Sequence, residues 1–525
     1  MKILISDPIE QSCVDILTRE GFQVDAKPGI SPEEIKKIIP EYAALIVRSG
    51  TKVTAEIIEE AKTMKVIGRA GAGVDNIDVA AASRHGIIVM NTPGGNTIST
   101  AEHTVSMLLS LARNIPQANM SLLAGKWERK KFMGTELMGK TLGIVGVGKI
   151  GREVALRCRA FGMTVIGFDP VLASDVASKI DVELVPLEEI FRRSDFISVH
   201  TPLSEETKGI LNEKTFKLCK KGVRVINCAR GGIIDEAALL NALNSGQVAG
   251  AALDVFVVEP PTANPLLQHP HLIATPHLGA STEEAQEKVA IQIAEQIADA
   301  LKDRGISGAV NAVAFQSGIP AELKPYMVLA EKLGSLQAQV MKGKLRELAI
   351  EARGDLLQKH IDLLTTGVLK GFFSRMMSQP VNYINAPVIA ESMGIRISEK
   401  KERDGENYTN LLSIEYSTDQ EKRSFAGTVF GTTTPRFVRI DAFYFEVNPE
   451  GFLLFYTNTD RPGILARVGS ILAEASINIA GLSLGRLGVG GTALTVINVD
   501  NGIPEQVLRK ISSLEEVYEA KVVSL

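Results

Sequence analysis

A chain of 525 residues exceeds what a single hydrophobic core holds and predicts three or four domains. Its composition, 45% apolar and 22% charged with a net charge of −4, is that of a globular protein and offers no general attraction for nucleic acid or an anionic membrane. Four scattered cysteines (Cys13, Cys158, Cys219, Cys228) include no CxxC pair, which argues against a disulfide or zinc framework and for a reducing, cytoplasmic setting.

The first residues, Met1-Lys-Ile-Leu-Ile-Ser-Asp7, pattern as a strand rather than a signal peptide, and no apolar run approaches the ~18 residues of a membrane span. Residues 1–98 alternate apolar strands (Lys2–Ser6, Phe22–Asp25, Ala44–Val47, Lys65–Ile67, Ile87–Met90) with amphipathic helices, a small parallel α/β domain. Ser31-Pro-Glu-Glu34 carries an N-cap, a proline at N1 and a capping-box Glu, and so starts one of those helices. Gly71-Ala-Gly73 imitates a dinucleotide fingerprint but fails it, because Asn occupies position 76.

A long helix is expected from about residue 99 to Leu122, and a second α/β domain from Lys140. There Gly146-Val-Gly148-Lys149-Ile150-Gly151 follows an apolar strand (Leu142–Val147) and opens a helix (Arg152–Phe161). The glycines permit a tight turn that brings backbone N–H groups and a helix N-terminus against a pyrophosphate. A second strand, Thr164–Phe168, ends at Asp169, about 20 residues on, where a carboxylate accepts from ribose hydroxyls. No Arg or Lys follows Asp169 until Lys179, which favours NAD over NADP. Further strands recur at Phe196–His200, Val223–Cys228, Ala249–Phe256 and Leu272–Thr275, and an amphipathic helix from Thr282 to Lys302 is expected to return the chain to the first domain.

Residues 317–450 begin with helix-like segments and continue as paired strands (Leu411–Tyr416, Phe425–Phe430, Phe437–Phe445). Glu399-Lys-Lys-Glu-Arg-Asp404 has balanced charge and is expected to be a solvated loop or helix face. Residues 452–525 pattern as a ferredoxin-like βαββαβ unit, with Asp460-Arg-Pro-Gly463 capping its first helix and Gly488-Val-Gly-Gly491 as its hairpin turn. The expected architecture is a two-lobed α/β enzyme. A Rossmann-type NAD domain (99–283) is inserted in a flavodoxin-like substrate domain (1–98 and 284–316). An intervening α+β domain (317–450) and the ferredoxin-like domain follow.

Ligands of open α/β sheets bind beyond the carboxyl ends of the strands. Those positions in the second domain hold Asp169, Thr201-Pro202, Arg230, Asp254, Glu259 and His277. Singly, each has an ordinary structural explanation: a surface Arg, a capping Asp, a satisfied His. Together they suit oxidation of an alcohol next to an acid group. Arg230 would grip a carboxylate with its planar fork and polarise the adjacent carbonyl. His277 would take the hydroxyl proton, with Glu259 orienting the ring and favouring its protonated form. Asp254 would accept from the nicotinamide carboxamide. His269-Pro-His271 lacks acidic or thiol partners at ligand spacing, and no metal is expected; His85, His103 and His360 are expected to be structural, and His200 and Cys228 to line the cofactor cleft without chemistry.

The segments Gly146–Gly151, Asn227-Cys-Ala-Arg-Gly-Gly-Ile-Ile-Asp-Glu236, Asp254-Val-Phe-Val-Val-Glu259 and Thr275-Pro-His-Leu-Gly-Ala-Ser281 resemble the D-isomer-specific 2-hydroxyacid dehydrogenases over residues 1–316. The resemblance implies an Arg230/Glu259/His277 catalytic set. It places NAD contacts on Gly146, Gly148, Lys149, Ile150, Gly151, Asp169, Thr201, Pro202, Cys228, Ala229, Arg230, Asp254, His277, Gly279 and Ala280. Ala44-Leu-Ile-Val-Arg48, Gly68-Arg-Ala-Gly-Ala-Gly-Val-Asp-Asn76, Asn91-Thr-Pro-Gly-Gly-Asn96 and Gly125-Lys-Trp-Glu-Arg129 look like family members acting on 3-phosphoglycerate. A substrate with a carboxylate and a phosphate needs cations beyond Arg230, which implies Arg48, Arg69 and Arg129, with Gly71 and Asn96 beside them. Arg129 is implied to reach a neighbouring subunit's site, in a homo-tetramer or dimer. Ala72 departs from relatives that carry Thr, which removes a hydroxyl contact to the cofactor.

Residues 452–525 resemble an ACT regulatory domain through Asn458-Thr-Asp-Arg-Pro-Gly463 and Ser476-Ile-Asn-Ile-Ala480, which implies an amino-acid effector, L-serine, held by Asp460 and Asn478. Residues 317–450 resemble an intervening domain linked to anion or substrate regulation. Two rival readings keep the fold: a dehydrogenase of glycerate, hydroxypyruvate, glyoxylate or another unphosphorylated D-2-hydroxyacid, and a non-catalytic NAD-sensing scaffold. The extra arginines argue against the first. The intact Arg/Glu/His set, and the lack of a basic DNA-reading segment, argue against the second.

Overall fold

Four β-sheets organise the chain in the computed structural model, which describes residues 1–316, 318–402 and 407–525. The first sheet contains β1 (Lys2–Ile5), β2 (Gln23–Ala26), β3 (Ala44–Val47), β4 (Val66–Arg69) and β5 (Ile88–Asn91), all parallel in the order β2-β1-β3-β4-β5. That order is flavodoxin-like. The continuous apolar run of β3 is buried at all four positions, as a central strand covered on both faces requires. One face is covered by helices carrying Ile35, Ile57 and Ala81. The other is covered by Ile293, Ile297 and Leu301 of helix Glu283–Leu301, so the chain does return to the first lobe after leaving it. Ser31 and Glu34 form the expected reciprocal capping box.

The second sheet contains β6 (Thr141–Val145), β7 (Thr164–Phe168), β8 (Glu183–Leu184), β9 (Phe196–Val199), β10 (Val223–Asn227), β11 (Val248–Leu253) and β12 (Leu272–Ala274). Its order, β12-β11-β10-β9-β6-β7-β8, is parallel throughout and reverses direction between β6 and β9, which opens the crevice where dinucleotides bind. β8 has two residues, too few to show a hydrophobic period. The helical stretch expected from about residue 99 through Leu122 is present as two helices, Thr97–Arg113 and Ile115–Leu123. Asn114 between them is left-handed (φ 54°), and Pro116 has no N–H to continue the ladder.

The third sheet contains β13 (Leu345–Arg353), β14 (Arg396–Glu402), β15 (Leu411–Thr418), β16 (Lys422–Phe430), β17 (Thr434–Ile440) and β18 (Phe443–Val447), in the order β14-β13-β15-β16-β17-β18. Glu399–Glu402 therefore belong to a strand, not to a solvated loop or helix face, while Arg403 and Asp404 lie outside the described residues. β14 is an edge strand, where charged side chains discourage pairing with other chains, and that charge hides the strand from a hydrophobic-period reading. Helices Lys324–Val340 and Ile361–Met376 cover this sheet and cross closely. A Cβ on Gly334 would overlap the Val368 carbonyl, and one on Gly371 the Glu331 carbonyl.

The fourth sheet contains β19 (Phe452–Thr459), β20 (Ile479–Arg486), β21 (Thr492–Val499) and β22 (Val517–Ser524) in the antiparallel order β20-β21-β19-β22, with two helices on one face. This is the ferredoxin-like unit expected. Its hairpin turns at Gly488–Gly491, and the Asp460–Gly463 segment caps the first helix through Gly463. Gly463 (φ 93°) sits at the cap without a side-chain bond, and Asp460 accepts instead from Arg486 at 3.2 Å. One apolar cluster joins Phe425 and Phe437 to Leu453 and Val496, so the third and fourth sheets share a core.

Candidate active site

The glycines of the β6 turn serve close approach. Gly146 has φ 92°, and a Cβ on it would stand 2.7 Å from the His200 carbonyl oxygen. A Cβ on Gly151 would overlap the Gly146 carbonyl, while one on Gly148, the cap of helix Lys149–Ala160, would meet open space. That leaves a helix N-terminus facing open space, as a pyrophosphate needs. Ile150 packs on the core, and Lys149 reaches across to the first lobe, donating to the Pro93 carbonyl at 3.4 Å.

Asp169 stands at the end of β7 and accepts from the backbone N–H groups of Val147 (2.9 Å), Val171 (2.9 Å) and Leu172 (3.0 Å). Those bonds fix the carboxylate with acceptor capacity left for ribose hydroxyls. The Thr201 hydroxyl is buried beside the glycine turn with no partner among the described residues. An orphaned hydroxyl there fits a site built to take a ligand. The Pro202 carbonyl accepts from Thr207 at 2.6 Å and shapes the same turn. With no cation after Asp169 until Lys179, these residues fit NAD.

Beyond β10, Cys228 is buried and its thiol is pushed up to about 12 by burial, with Asp254 adding to the effect. Asn227 folds the next turn, accepting from Ala229 N–H at 2.9 Å and donating to the Arg230 carbonyl at 2.8 Å. Only glycine fits at 231, because a Cβ would overlap the Phe256 carbonyl, and this contact seats the Arg230 turn on the loop that carries Glu259. Arg230 donates through Nε to Asp75 of the opposite lobe at 3.0 Å and through Nη1 to the Ala229 carbonyl at 2.7 Å.

Asp254 is 1% exposed and accepts from Thr275 Oγ1 (2.6 Å), Leu278 N–H (2.7 Å), Gly279 N–H (2.8 Å) and His103 Nε2 (3.2 Å). Burial alone would raise its pKa; the bonds from His103, Thr275 and Leu278 outweigh it and hold the carboxylate below its ordinary range. Both oxygens are thus committed to the 275–279 turn, and a nicotinamide carboxamide would share an oxygen already in use. A Cβ on Gly279 would press on Asp254 and Thr100, and Ala280 follows half-buried in the same turn.

That turn presents His277, whose backbone is left-handed (φ 56°) and whose N–H bonds the Asp254 carbonyl at 2.9 Å. Its Nδ1 lies 2.9 Å from Glu259 Oε2, and Glu259 Oε1 accepts from Phe256 N–H at 3.1 Å. Nε2 is left for other work. His103, expected to be merely structural, belongs to this site through Asp254 and Thr275. Its partners, just past β11 and β12, come from distant segments, so no local pattern marks it. His103, Cys228 and Asp254 bring ligand-type atoms within 4.8 Å of one another. Both Asp254 oxygens are already taken by Thr275, Leu278, Gly279 and His103, so the carboxylate of this trio is committed to the 275–279 turn and to His103. His200, pushed down to about 4 by burial, bonds Ser198 at 2.8 Å and is neutral at physiological pH.

In the first lobe, Arg48 holds the Pro8 carbonyl (3.3 Å) and Gln286 (3.5 Å) through Nη1. Arg69 donates to the Gly73 carbonyl, and its Nε is buried with no partner among the described residues. Burial, then the neighbouring Arg230 and Arg48, push it down to about 10, which leaves it charged at neutral pH. A Cβ on Gly71 would stand 2.8 Å from the Arg69 guanidinium, and Asn96 caps helix Thr97–Arg113 through its backbone only. Arg129 opens a separate turn (Arg129–Phe132), and the single chain does not join it to Arg230. Near it in sequence, Leu123, Trp127, Met133 and Met138 are exposed. In the fourth sheet Asp460 is tied to Arg486, and Asn478 to Asp500 at 2.7 Å.

A dinucleotide crevice, a guanidinium and a histidine–carboxylate pair at adjoining strand ends define an NAD-dependent oxidoreductase of the 2-hydroxyacid class. The NAD-binding domain of the D-isomer-specific 2-hydroxyacid dehydrogenases matches residues 105–279, the D-3-phosphoglycerate dehydrogenase intervening domain residues 322–441, and the ACT domain residues 452–516. The D-3-phosphoglycerate dehydrogenase of Archaeoglobus fulgidus is 42% identical over 528 residues, covering 100% of both chains. That of Bacillus subtilis is 43% identical over 524 residues, covering 100% of this chain and 99% of its own. A glyoxylate reductase structure from Paecilomyes thermophila superimposes with a TM-score of 0.55 at 31% identity, covering 59% of this chain and 98% of its own. The chain belongs to the D-3-phosphoglycerate dehydrogenase family.

Proposed function

We propose that the protein oxidises D-3-phosphoglycerate to 3-phosphohydroxypyruvate with NAD, the first step of L-serine biosynthesis. The observation that carries this is the 2.9 Å contact between His277 Nδ1 and Glu259, on the loop against which the Arg230 turn is seated. With Nδ1 engaged, Nε2 of His277 is the atom that takes the C2 hydroxyl proton and returns it in reduction. Arg230 binds the C1 carboxylate, and its fixed charge favours the developing C2 carbonyl. Bound NAD supplies the hydride acceptor. Arg69, with an unpartnered buried Nε, and Arg48 take the phosphate, with Gly71 and Asn96 lining the same pocket.

Boundaries at 98, 283, 316 and 450 divide substrate, NAD, intervening and ACT units in this reading. Asp460 and Asn478 hold an amino-acid effector, L-serine. The exposed apolar patch around Trp127 pairs with a second copy and brings Arg129 to the partner's site, in a dimer or tetramer. No helix of the described residues is long and apolar enough to cross a membrane, and four buried free cysteines fit a reducing, cytoplasmic compartment. The same fold also carries the glyoxylate reductase of Paecilomyes thermophila, but an unphosphorylated substrate leaves the buried Nε of Arg69 unpartnered. Appearance of NADH when the protein is mixed with NAD and D-3-phosphoglycerate tests the proposal; its failure to appear removes it.

A further inference from the structure

We infer that Asp75 is a positioning residue for the reaction: reaching across the cleft from the substrate lobe, it holds Nε of the Arg230 guanidinium so that Nη2 is presented to the substrate carboxylate. This rests on the assignment of Arg230 above and extends it to a residue of the opposite lobe.

Asp75 follows β4 in the first lobe, and Arg230 follows β10 in the second, 155 residues away in sequence. Arg230 Nε donates to Asp75 Oδ2 at 3.0 Å, and Nη1 donates to the Ala229 carbonyl at 2.7 Å. Nη2 has no protein acceptor among the described residues. It lies on Gly73, where a Cβ would overlap Nη2 and stand 2.6 Å from Asp75 Oδ2. Glycine at 73 is therefore what lets the guanidinium lie flat on this loop.

The loop itself is held from both sides. The Gly73 carbonyl accepts from Arg69, and the Asn76 amide donates to the carbonyls of Arg48 (2.7 Å) and Thr51 (2.6 Å). Asp75 thus sits between two anchored neighbours and offers a fixed carboxylate. Arginine loses much rotamer freedom when it grips a ligand, and an edge fixed in advance has already lost it. Asp75 is 63% exposed and Arg230 28% exposed, so solvent screens the pair and Arg230 keeps its pull on an incoming anion. Because the bond spans the cleft, the orientation of Arg230 is also coupled to the approach of the two lobes.

The test is steady-state reduction of 3-phosphohydroxypyruvate by NADH in the full-length protein. Asp75→Ala is expected to raise KM about tenfold, within the range of directly coupled neighbours. NADH affinity and melting temperature should stay at the parent values, a combination that general structural damage does not give. Asp75→Asn keeps an acceptor for Nε and is expected to recover part of the loss. In an Arg230→Ala background, Asp75→Ala should add nothing further. An unchanged or lowered KM in Asp75→Ala, or an equal loss in both backgrounds, overturns the inference. Full activity in Arg230→Ala alone would remove the assignment of Arg230 and this inference with it. A defective Arg230→Ala beside a normal Asp75→Ala would remove only the role of Asp75.

Discussion

His277 Nδ1 and Glu259 Oε2 stand 2.9 Å apart, and each is fixed by backbone contacts of its own: His277 through its N–H to the Asp254 carbonyl, Glu259 through Phe256 N–H. The ring therefore has one nitrogen assigned before any substrate arrives. Its left-handed backbone, costly for a residue with a Cβ, is tolerated because the Asp254 bonds to the 275–279 turn impose it.

His277→Ala should lower kcat by about 10²–10⁴-fold, the usual contribution of a general acid–base group. Glu259→Gln, which keeps an acceptor but no charge, should fall between that variant and the parent. NADH affinity, followed by fluorescence titration, should stay within a small factor in both. Undiminished turnover in His277→Ala would take this residue out of the proton transfer.

Asp254→Asn should destabilise the protein by about 1–3 kcal/mol at neutral pH, because an amide nitrogen cannot accept from the N–H donors that Asp254 serves. The folded state holds this carboxylate below its ordinary range, so its stabilisation is complete above a pH of about 3.9 and is lost as the pH falls through the lower folded value. The melting-temperature gap between parent and variant should accordingly be widest at neutral pH and narrow in acid. A gap that does not change with pH would contradict this account.

Much of the site was legible because its signals are local. Gly146–Gly151, Asp169, Arg230 and His277 each follow a strand of three to six residues, and Glu259 lies in the loop after β11. What escaped depends on distant partners. His103 joins the site through Asp254 and Thr275, more than a hundred residues away, and Asp75 finds Arg230 only once the lobes face each other. β14 escaped because the charges that suit an edge strand erase its hydrophobic alternation, and the break at Asn114 because a single left-handed residue makes it. The Asp460–Gly463 segment was legible as the entry to its helix, and Gly463 supplies that cap by its backbone alone.

Gly371→Val should loosen the third sheet's helical layer, since its Cβ would overlap the Glu331 carbonyl on the facing helix. Overpacking of this kind costs about 1–3 kcal/mol. Calorimetry should show a lowered transition, with kcat for the NADH reaction near the parent value because no active-site residue lies on either helix. A melting profile identical to the parent would mean that the two helices can separate without penalty.

The central claim is that this site takes a substrate with two anionic ends and reduces or oxidises the carbon between them. Comparing kcat/KM for 3-phosphohydroxypyruvate and unphosphorylated hydroxypyruvate, with NADH in both, tests it most directly. The account predicts a preference for the phosphorylated compound of at least about a hundredfold, equivalent to about 2.7 kcal/mol of transition-state binding, and a loss of most of that preference in Arg69→Ala. Equal values for the two compounds would contradict it.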